Sequence, residues 1–163
     1  MKKSCVAVYP GTFDPVTYGH IDLIKRATRI FDQVIVAVAH NKAKGTMFTV
    51  EERVSMIRDA VKGMKNVTVD DFGGLAVEYV RRKGSKIMIR GLRMLSDFEY
   101  EFQMALTNRK LSEDIETIFM MPHEDYSYVS SKLIKEAAGL GADVSRFIPR
   151  EVEKAIRKKL GRR

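Results

Sequence analysis

Cysteine is nearly absent from this chain of 163 residues, which contains only Cys5. One cysteine excludes an internal disulfide framework and any cysteine-based zinc site. Long hydrophobic runs are also missing, since no apolar segment approaches the roughly 20 residues that cross a bilayer. The apolar stretch near the N-terminus is too short for a secretory signal and runs directly into Pro10-Gly11. We therefore expect a cytoplasmic protein with no membrane partner.

Three familiar catalytic or phosphate-binding motifs are missing as well. The sequence has neither Gly-x-Gly-x-x-Gly nor Gly-x-x-x-x-Gly-Lys-Ser/Thr, which are the usual glycine-rich phosphate loops. It also lacks the Gly-x-Ser-x-Gly elbow of the serine hydrolases. Any phosphate binding must therefore rest on other groups.

Positive charge is concentrated at the C-terminus. The chain has a net charge of +8, but residues 146–163 alone carry eight basic and two acidic side chains. In this segment Val152, Ala155, Ile156 and Leu160 recur at helical spacing, which predicts a helix that packs by an apolar stripe and solvates its charges. This interpretation is favoured over a nucleic-acid arm. We expect no nucleic-acid partner, and a non-enzymatic nucleic-acid-binding module remains an alternative.

Short β-branched runs alternate with amphipathic helical patterns along the whole chain. Strands are predicted at 5–9, 34–40, 67–70, 86–90 and 117–121. Helix starts are predicted at the Thr49–Glu52 capping box, at Ser96-Asp97 and at Ser130-Ser131. Repeated alternation of this kind predicts an α/β fold: one Rossmann-like open sheet of five parallel strands, with helices on both faces and further helices at the C-terminus. No linker or repeat interrupts residues 1–163, so we expect a single domain.

In such a sheet, ligands bind beyond the carboxyl ends of the strands, where the strand order switches. His20 follows the first strand at a helix start, where backbone N–H groups favour an anion. Taken alone, a histidine at this position is more often a structural or capping residue. Lys44 follows the second strand, and Gly73-Gly74 after the third offers bare backbone to an amide-bearing ligand.

The fourth strand ends in two arginines that suit phosphate. Arg90 and Arg93 could clamp phosphate bidentately, although pairing with Asp97, Glu99 or Glu101 is the structural alternative. Basic groups, hydroxyls and glycines thus gather at one edge without a nucleophile and its base. Such a site predicts direct phosphoryl or nucleotidyl transfer.

The sequence also resembles a known family. Thr17-Tyr18-Gly19-His20 matches the [HT]-x-G-H signature of the nucleotidyltransferase superfamily, and Val129-Ser130-Ser131 resembles its second motif. Three blocks, at 9–20, 47–53 and 90–101, make the chain similar over nearly its whole length to the bacterial phosphopantetheine adenylyltransferase family. The resemblance implies adenylyl transfer from ATP to 4′-phosphopantetheine, giving 3′-dephospho-coenzyme A and pyrophosphate.

The resemblance also implies roles for individual residues. His20, Lys44 and Arg90 are the implied catalytic residues, with Thr12, Lys44, Ala76 and Arg90 binding phosphopantetheine. The implied ATP site comprises Thr12, Phe13, His20, Gly91, Leu92, Arg93, Glu101, Tyr126, Ser127, Tyr128, Val129, Ser130, Ser131 and Lys132. No protein ligands for a metal are expected, and Mg²⁺ would be carried by the ATP phosphates.

Family members are typically homo-hexamers and are often inhibited by coenzyme A, so both properties are implied here. Three positions depart from the usual family pattern: Gly45 after Lys44, Tyr126 in place of tryptophan, and Lys132 in place of a hydroxyl residue. The related nicotinate-nucleotide adenylyltransferases and glycerol-phosphate cytidylyltransferases share [HT]-x-G-H and are alternatives.

Overall fold

The computed structural model describes residues 4–41 and 45–161. Within these ranges the strands are β1 (Val6–Gly11), β2 (Gln33–Ala39), β3 (Val67–Phe72), β4 (Ile87–Gly91) and β5 (Glu116–Met120). The helices are α1 (Tyr18–Ala27), α2 (Val50–Ala60), α3 (Ala76–Arg82), α4 (Leu95–Leu111), α5 (Ser131–Gly139) and α6 (Arg150–Lys159), and a short 3₁₀ turn spans Glu124–Tyr126.

The five strands form one open parallel sheet with the order β3-β2-β1-β4-β5. The predicted α/β fold is confirmed. The chain builds outward from β1 to β2 and β3, and then crosses to the other side of β1 to form β4 and β5. This switch leaves a crevice between the carboxyl ends of β1 and β4, which is where such sheets bind ligands.

Both faces of the sheet are covered, and β2 shows how. Its Val34, Val36 and Val38 join a core that also contains buried residues of α1, α2, α5 and α6. Its Ile35 and Ala37 point to the opposite face, into a second core that includes residues of α3. Alternation of side chains along a strand puts both sets into apolar surroundings, which explains why β2 reads as a continuous apolar run.

Two of the three predicted helix starts are confirmed. Thr49 and Glu52 form the reciprocal capping box of α2, and Ser130 Oγ accepts a hydrogen bond from the Leu133 amide at 3.1 Å. The predicted Ser96-Asp97 cap is wrong, because α4 begins at Leu95 and its N-cap residue Met94 makes no side-chain capping bond. Asp97 lies inside the first turn of α4, where Arg93 holds its carboxylate instead.

The basic C-terminal helix packs as predicted. Val152 and Ile156 of α6 are buried in the main core, with Ala155 and Leu160 packed against it. Lys159 forms an ion pair with Glu52 of α2 at 2.9 Å. In the part of the chain that the structure describes, no helix is long and apolar enough to cross a membrane.

Helix α4 differs from the other long helices because its apolar side chains are exposed. Leu95 is 86% exposed, and Phe98 and Phe102, which stack on each other, remain 42% and 46% exposed. Glu101 is the only buried residue of this helix. The described chain therefore leaves most of the apolar side chains of α4 in solvent.

Candidate active site

The turn between β1 and α1 forms the floor of the crevice. Phe13 adopts a left-handed backbone conformation (φ 50°), which sends its ring back over Gly11. A Cβ atom at Gly11 would lie only 2.9 Å from that ring, so the close approach requires glycine. The Phe13 ring meets the imidazole of His20 edge to face at 5.0 Å. Phe13 thus packs against one side of His20.

His20 is held in one tautomer by the start of α1. Its Nδ1 accepts the Thr17 amide N–H at 3.0 Å, and Thr17 Oγ1 accepts the His20 amide in return, which completes a capping box. Because Nδ1 accepts a hydrogen bond, the proton of the neutral ring resides on Nε2. Burial, with a smaller effect from Arg93 and Arg90, lowers the pKa of His20 from 6.5 to about 4. At neutral pH, His20 is therefore an uncharged hydrogen-bond donor.

Arg90 lies at the end of β4 and is fixed by two neighbours. Its Nε and Nη2 donate to the two carboxylate oxygens of Glu101 at 2.8 and 2.6 Å, and its Nη1 donates to the Pro10 carbonyl at 2.8 Å. The bidentate pair with Glu101 realises the structural alternative raised by the sequence. Guanidinium has five N–H donors, so Arg90 still has donors for a ligand.

Arg93 connects the start of α4 to the segment before α5. It pairs with Asp97 at 3.1 Å and donates from Nη1 to the Val129 carbonyl at 2.7 Å. Val129 directly precedes Ser130, the N-cap of α5. Arg93 therefore brings a second helix N-terminus to the same crevice.

Lys135 forms a partly buried ion pair with the buried Asp14, which sequence reasoning missed. Lys135 Nζ lies 2.5 Å from Asp14 Oδ2, and the Asp14 carboxylate also accepts the amides of Met47 and Phe48 at 3.0 and 2.9 Å. Lys135 follows Ser131 by four residues, which places both on one face of α5. This four-residue spacing from Ser131 could have indicated in the sequence that Lys135 lies on the same side of α5 as the predicted ATP-site residues.

Arg53 is a second missed residue and a structural one. It is 1% exposed. Within the described part of the chain its guanidinium donates only to backbone carbonyls, those of Thr12 (2.7 Å), Ala39 (2.9 Å), Phe48 (3.2 Å), Thr49 (3.3 Å) and His40 (3.4 Å). Burial lowers the pKa of Arg53, and the nearby Asp14 carboxylate opposes this. Arg53 thus ties the exit of β1 to the exit of β2, which explains the arginine that ends the family block at 47–53.

Most of the predicted ATP-site residues line one cavity of about 500 Å³, which we call the first cavity. The predicted residues in its wall are Thr12, Phe13, His20, Arg90, Gly91, Arg93, Glu101, Val129, Ser130, Ser131 and Lys132. Asp14, Asp97 and Lys135 line it too, so among the described residues four cationic and three carboxylate side chains face this space.

Four predicted ATP-site residues lie outside that wall. The Leu92 amide donates to the Met120 carbonyl, and Ser127 Oγ donates to the Glu124 carbonyl. Tyr126 packs against Gly19, and the Tyr128 ring meets Phe147 edge to face at 6.1 Å. Tyr126, Ser127 and Tyr128 belong to the segment between β5 and α5, and Leu92 ties the end of β4 to the end of β5.

A second cavity of about 730 Å³ lies on the other side of β1 and β4. Ala76 lines it, with Phe72, Met88 and the backbone of Gly73 and Gly74. A Cβ atom at Gly73 would lie 3.3 Å from His40 Nδ1, so this glycine leaves room for an imidazole. Lys44, the predicted phosphate-binding lysine, lies outside the described residues.

The two cavities share one wall. Pro10, Gly11, Thr12 and Arg90 line both of them. His20 and Arg90 therefore converge on one crevice, and a ligand in either cavity reaches the same edge of the sheet.

Comparison with known proteins decides the family. The family model of cytidylyltransferase-like domains matches residues 8–137. Phosphopantetheine adenylyltransferase from Alkaliphilus metalliredigens is 53% identical over 94% of this chain and 98% of its own length, and that from Desulforudis audaxviator is 51% identical over 97% of both chains. The chain belongs to the phosphopantetheine adenylyltransferase family. The family resemblance seen in the sequence is thereby confirmed, and the enzyme class is nucleotidyltransferase.

A solved structure supports the fold of this family member. A protein from Vibrio parahaemolyticus, provisionally named as a nicotinate-nucleotide adenylyltransferase, superimposes with a TM-score of 0.68 over 94% of this chain and 98% of that chain. Its sequence is only 18% identical. The likeness shows the shared fold and carries no information about the acceptor substrate.

Proposed function

We propose that this protein transfers the adenylyl group of ATP to 4′-phosphopantetheine, which yields 3′-dephospho-coenzyme A and pyrophosphate in the penultimate step of coenzyme A biosynthesis. The observation that carries the proposal is the pair of cavities that meet at Thr12 and Arg90. Membership of the family supports the choice of both substrates.

The first cavity is the proposed ATP site. It contains Arg93, Lys132, Lys135 and the N-terminus of α5 at Ser130, all of which suit a polyphosphate. Glu101 contributes by holding Arg90, and the residues from Tyr126 to Tyr128 shape the segment that leads into α5.

The second cavity is the proposed phosphopantetheine site. Its end near Thr12 and Arg90 would hold the phosphate of the acceptor, together with Lys44 as the resemblance implies. Ala76 and its apolar neighbours would contact the pantetheine arm, for which a largely uncharged wall is suitable.

The chemistry follows from this placement. A phosphate oxygen of the acceptor attacks the α-phosphorus of ATP in line, the bond from the α-phosphorus to the bridging oxygen breaks, and pyrophosphate leaves with that electron pair. The attacking phosphate is already anionic at neutral pH, so the step needs neither a strong general base nor a covalent intermediate. The Nε2–H of His20 and the donors of Arg90 would stabilise the charge that develops on the transferring group.

Mg²⁺ is proposed to enter as part of the nucleotide substrate. Among the described residues, no cluster of three or more His, Cys, Asp or Glu side chains could hold a metal. The carboxylates of the first cavity, Asp14, Asp97 and Glu101, are each paired with a cation of the protein. The excess of one positive charge in the wall is much smaller than the charge of a triphosphate, which favours a nucleotide that brings its own counterion.

A homo-oligomer, a hexamer by resemblance, is proposed as the working form. The exposed apolar side chains of α4 support it, because a contiguous apolar surface of this kind usually marks a protein interface. Sedimentation velocity of the wild-type chain and of a Leu95→Glu, Phe102→Glu variant tests it. A monomeric wild-type protein at micromolar concentration would contradict this proposal.

Three further expectations accompany the function. The whole chain is proposed to act as one nucleotidyltransferase domain, which the single sheet supports. Coenzyme A is proposed as a feedback inhibitor, because it carries the same pantetheine arm as the acceptor. The cytoplasm is the proposed location, where ATP is available.

The decisive experiment is a pyrophosphate-release assay with ATP and one acceptor at a time. We expect release with 4′-phosphopantetheine and only background release with nicotinate mononucleotide or glycerol phosphate. Release with one of the other two acceptors alone would replace the proposal with the corresponding relative. Salt-dependent RNA or DNA binding that survives saturation with ATP, without pyrophosphate release, would favour a nucleic-acid-binding module.

A further inference from the structure

His40 lies at the rim of the second cavity and plays no part in the chemistry proposed above. It follows β2 directly, and its amide N–H donates to the Phe72 carbonyl at 2.9 Å. The His40 carbonyl accepts a hydrogen bond from Arg53 at 3.4 Å. The backbone of His40 is therefore fixed at the exits of two strands. Its side chain is 40% exposed and lines the second cavity.

The ring of His40 has a defined donor and a defined acceptor. Nε2 lies 2.7 Å from Asp71 Oδ2, and an ionised carboxylate can only accept, so Nε2 carries the proton. In the neutral ring this leaves Nδ1 as an acceptor. In the described part of the chain, no hydrogen bond to this atom is formed.

The space around His40 Nδ1 is kept open by Gly73. A side chain at position 73 would begin 3.3 Å from Nδ1, and Gly73 itself lines the second cavity. An oriented acceptor thus faces a cavity whose nearby walls are Phe72, Ala76 and glycine backbone. A ligand that lies there and offers an N–H donor gains a directed hydrogen bond that apolar contact cannot supply.

We propose that His40 is a specificity-determining residue of the second cavity, whose Nδ1 accepts an amide N–H of the acceptor's pantetheine arm, with Asp71 fixing the tautomer. The inference rests on the proposed function, because 4′-phosphopantetheine carries two secondary amides along the arm that would occupy this cavity. His40 selects for the arm and takes no part in the transfer of the adenylyl group.

A thermodynamic cycle tests the hydrogen bond. Binding of 4′-phosphopantetheine, and of two analogues in which one or the other amide N–H is replaced by an ester oxygen, is measured by calorimetry with wild type and with His40→Phe, which keeps a ring and removes the acceptor. We expect about a fivefold weaker binding of the natural ligand to His40→Phe, the ordinary size for a neutral hydrogen bond. One ester analogue should bind wild type about fivefold more weakly, yet bind His40→Phe as well as the natural ligand does.

Controls separate this effect from a general disturbance. His40→Gln keeps an acceptor and should recover part of the lost affinity, and His123→Phe makes the same change at an exposed site outside both cavities and should leave the affinity unaltered. The proposal is overturned if both ester analogues lose the same factor in wild type and His40→Phe.

Nitrogen NMR gives a second measurement that does not depend on activity. The chain has only three histidines, so ¹⁵N-labelled imidazole signals are readily assigned by substitution. We expect His40 to be in the Nε2–H tautomer, with its Nδ1 resonance shifting when 4′-phosphopantetheine is added. An Nδ1–H tautomer would also overturn the proposal. Pyrophosphate release by wild type tests the proposed function separately, so the two failures are distinguishable.

Discussion

The first and second cavities share the wall from Pro10 to Thr12, but they present different chemistry to a ligand. The first cavity contains seven charged side chains, of which Arg90, Arg93 and Lys135 each hold a carboxylate. Among the described residues that line the second cavity, Arg90 is the only Lys, Arg, Asp or Glu. We therefore expect electrostatics to select the ligand of the first cavity, and shape and a few hydrogen bonds to select the ligand of the second.

The pairing of charges in the first cavity has a physical reason. Cations left unpaired at the edge of a sheet repel each other and lose solvation, whereas pairing with carboxylates fixes their geometry before a ligand arrives. The second cavity needs less of this arrangement, because Arg90, which Glu101 already pairs, is the only Lys, Arg, Asp or Glu among the described residues of its wall. Substitutions should therefore affect the two substrates separately.

The largest expected effect comes from His20→Ala. Loss of the Nε2–H donor should lower kcat by about 10²–10³, since it acts on the charge that develops during transfer. Initial rates of pyrophosphate release at saturating ATP and 4′-phosphopantetheine measure it, with thermal unfolding as a check on folding. A folded His20→Ala enzyme with normal turnover would show that the first cavity does not use this imidazole in the reaction.

The second largest expected effect is the dependence of the unfolding free energy on pH. The unfolded chain protonates His20 below its ordinary pKa of 6.5, whereas in the folded protein burial, assisted by Arg93 and Arg90, lowers the pKa to about 4. The unfolding free energy should therefore fall as pH drops from about 6.5 towards 4, by up to ~1.4 kcal/mol per unit from this group. Urea unfolding at several pH values checks this, and a His20→Asn variant should show a shallower slope. Parallel curves for the two proteins would contradict the prediction.

Arg93→Ala should distinguish the two cavities. Arg93 lines only the first cavity, so we expect the KM for ATP to rise about tenfold or more, as for loss of a charge-assisted hydrogen bond, with the KM for 4′-phosphopantetheine little changed. Steady-state kinetics with each substrate varied in turn measures both. Arg26→Ala, an exposed arginine on α1 outside both cavities, is the matched control. An equal rise in both KM values would contradict the assignment of the two substrates to separate cavities.

The converse change is Ala76→Leu in the second cavity. The larger side chain should crowd the pantetheine arm and raise the KM for the acceptor about tenfold, in keeping with ordinary overpacking costs, while the KM for ATP stays the same. The same kinetic assay applies, with Ala76→Ser as a control of nearly unchanged volume. A selective effect on ATP would place the nucleotide on the wrong side of β1.

The sequence was sufficient to predict the sheet and the edge where the site lies. Continuous apolar runs such as Val34–Val38 identify strands covered on both faces, and parallel strands bring the residues that follow them to one edge. That reasoning placed His20 and Arg90 together without any knowledge of distance.

Polar pairs between residues far apart in the chain could not be predicted from the sequence. Lys135 and Asp14 are 121 residues apart, and Arg53 binds carbonyl groups, which every residue has, so no residue type reveals the partner. The Ser96-Asp97 cap was wrong for a local reason: α4 begins at Leu95, and Asp97 in its first turn pairs with Arg93 four residues earlier. The exposure of apolar side chains on α4 was likewise not predicted, because the sequence does not show which helix lacks a partner within the chain.

The proposed partition between the two substrate sites is a short run of consecutive residues. Pro10, Gly11 and Thr12 separate the cavities, and Arg53 fastens the Thr12 carbonyl from behind. Substitutions can reshape the outer walls of either cavity, but they have little effect on the distance across the shared wall. Evolution and protein engineering can thus alter which molecules are accepted while the distance over which the adenylyl group travels stays the same.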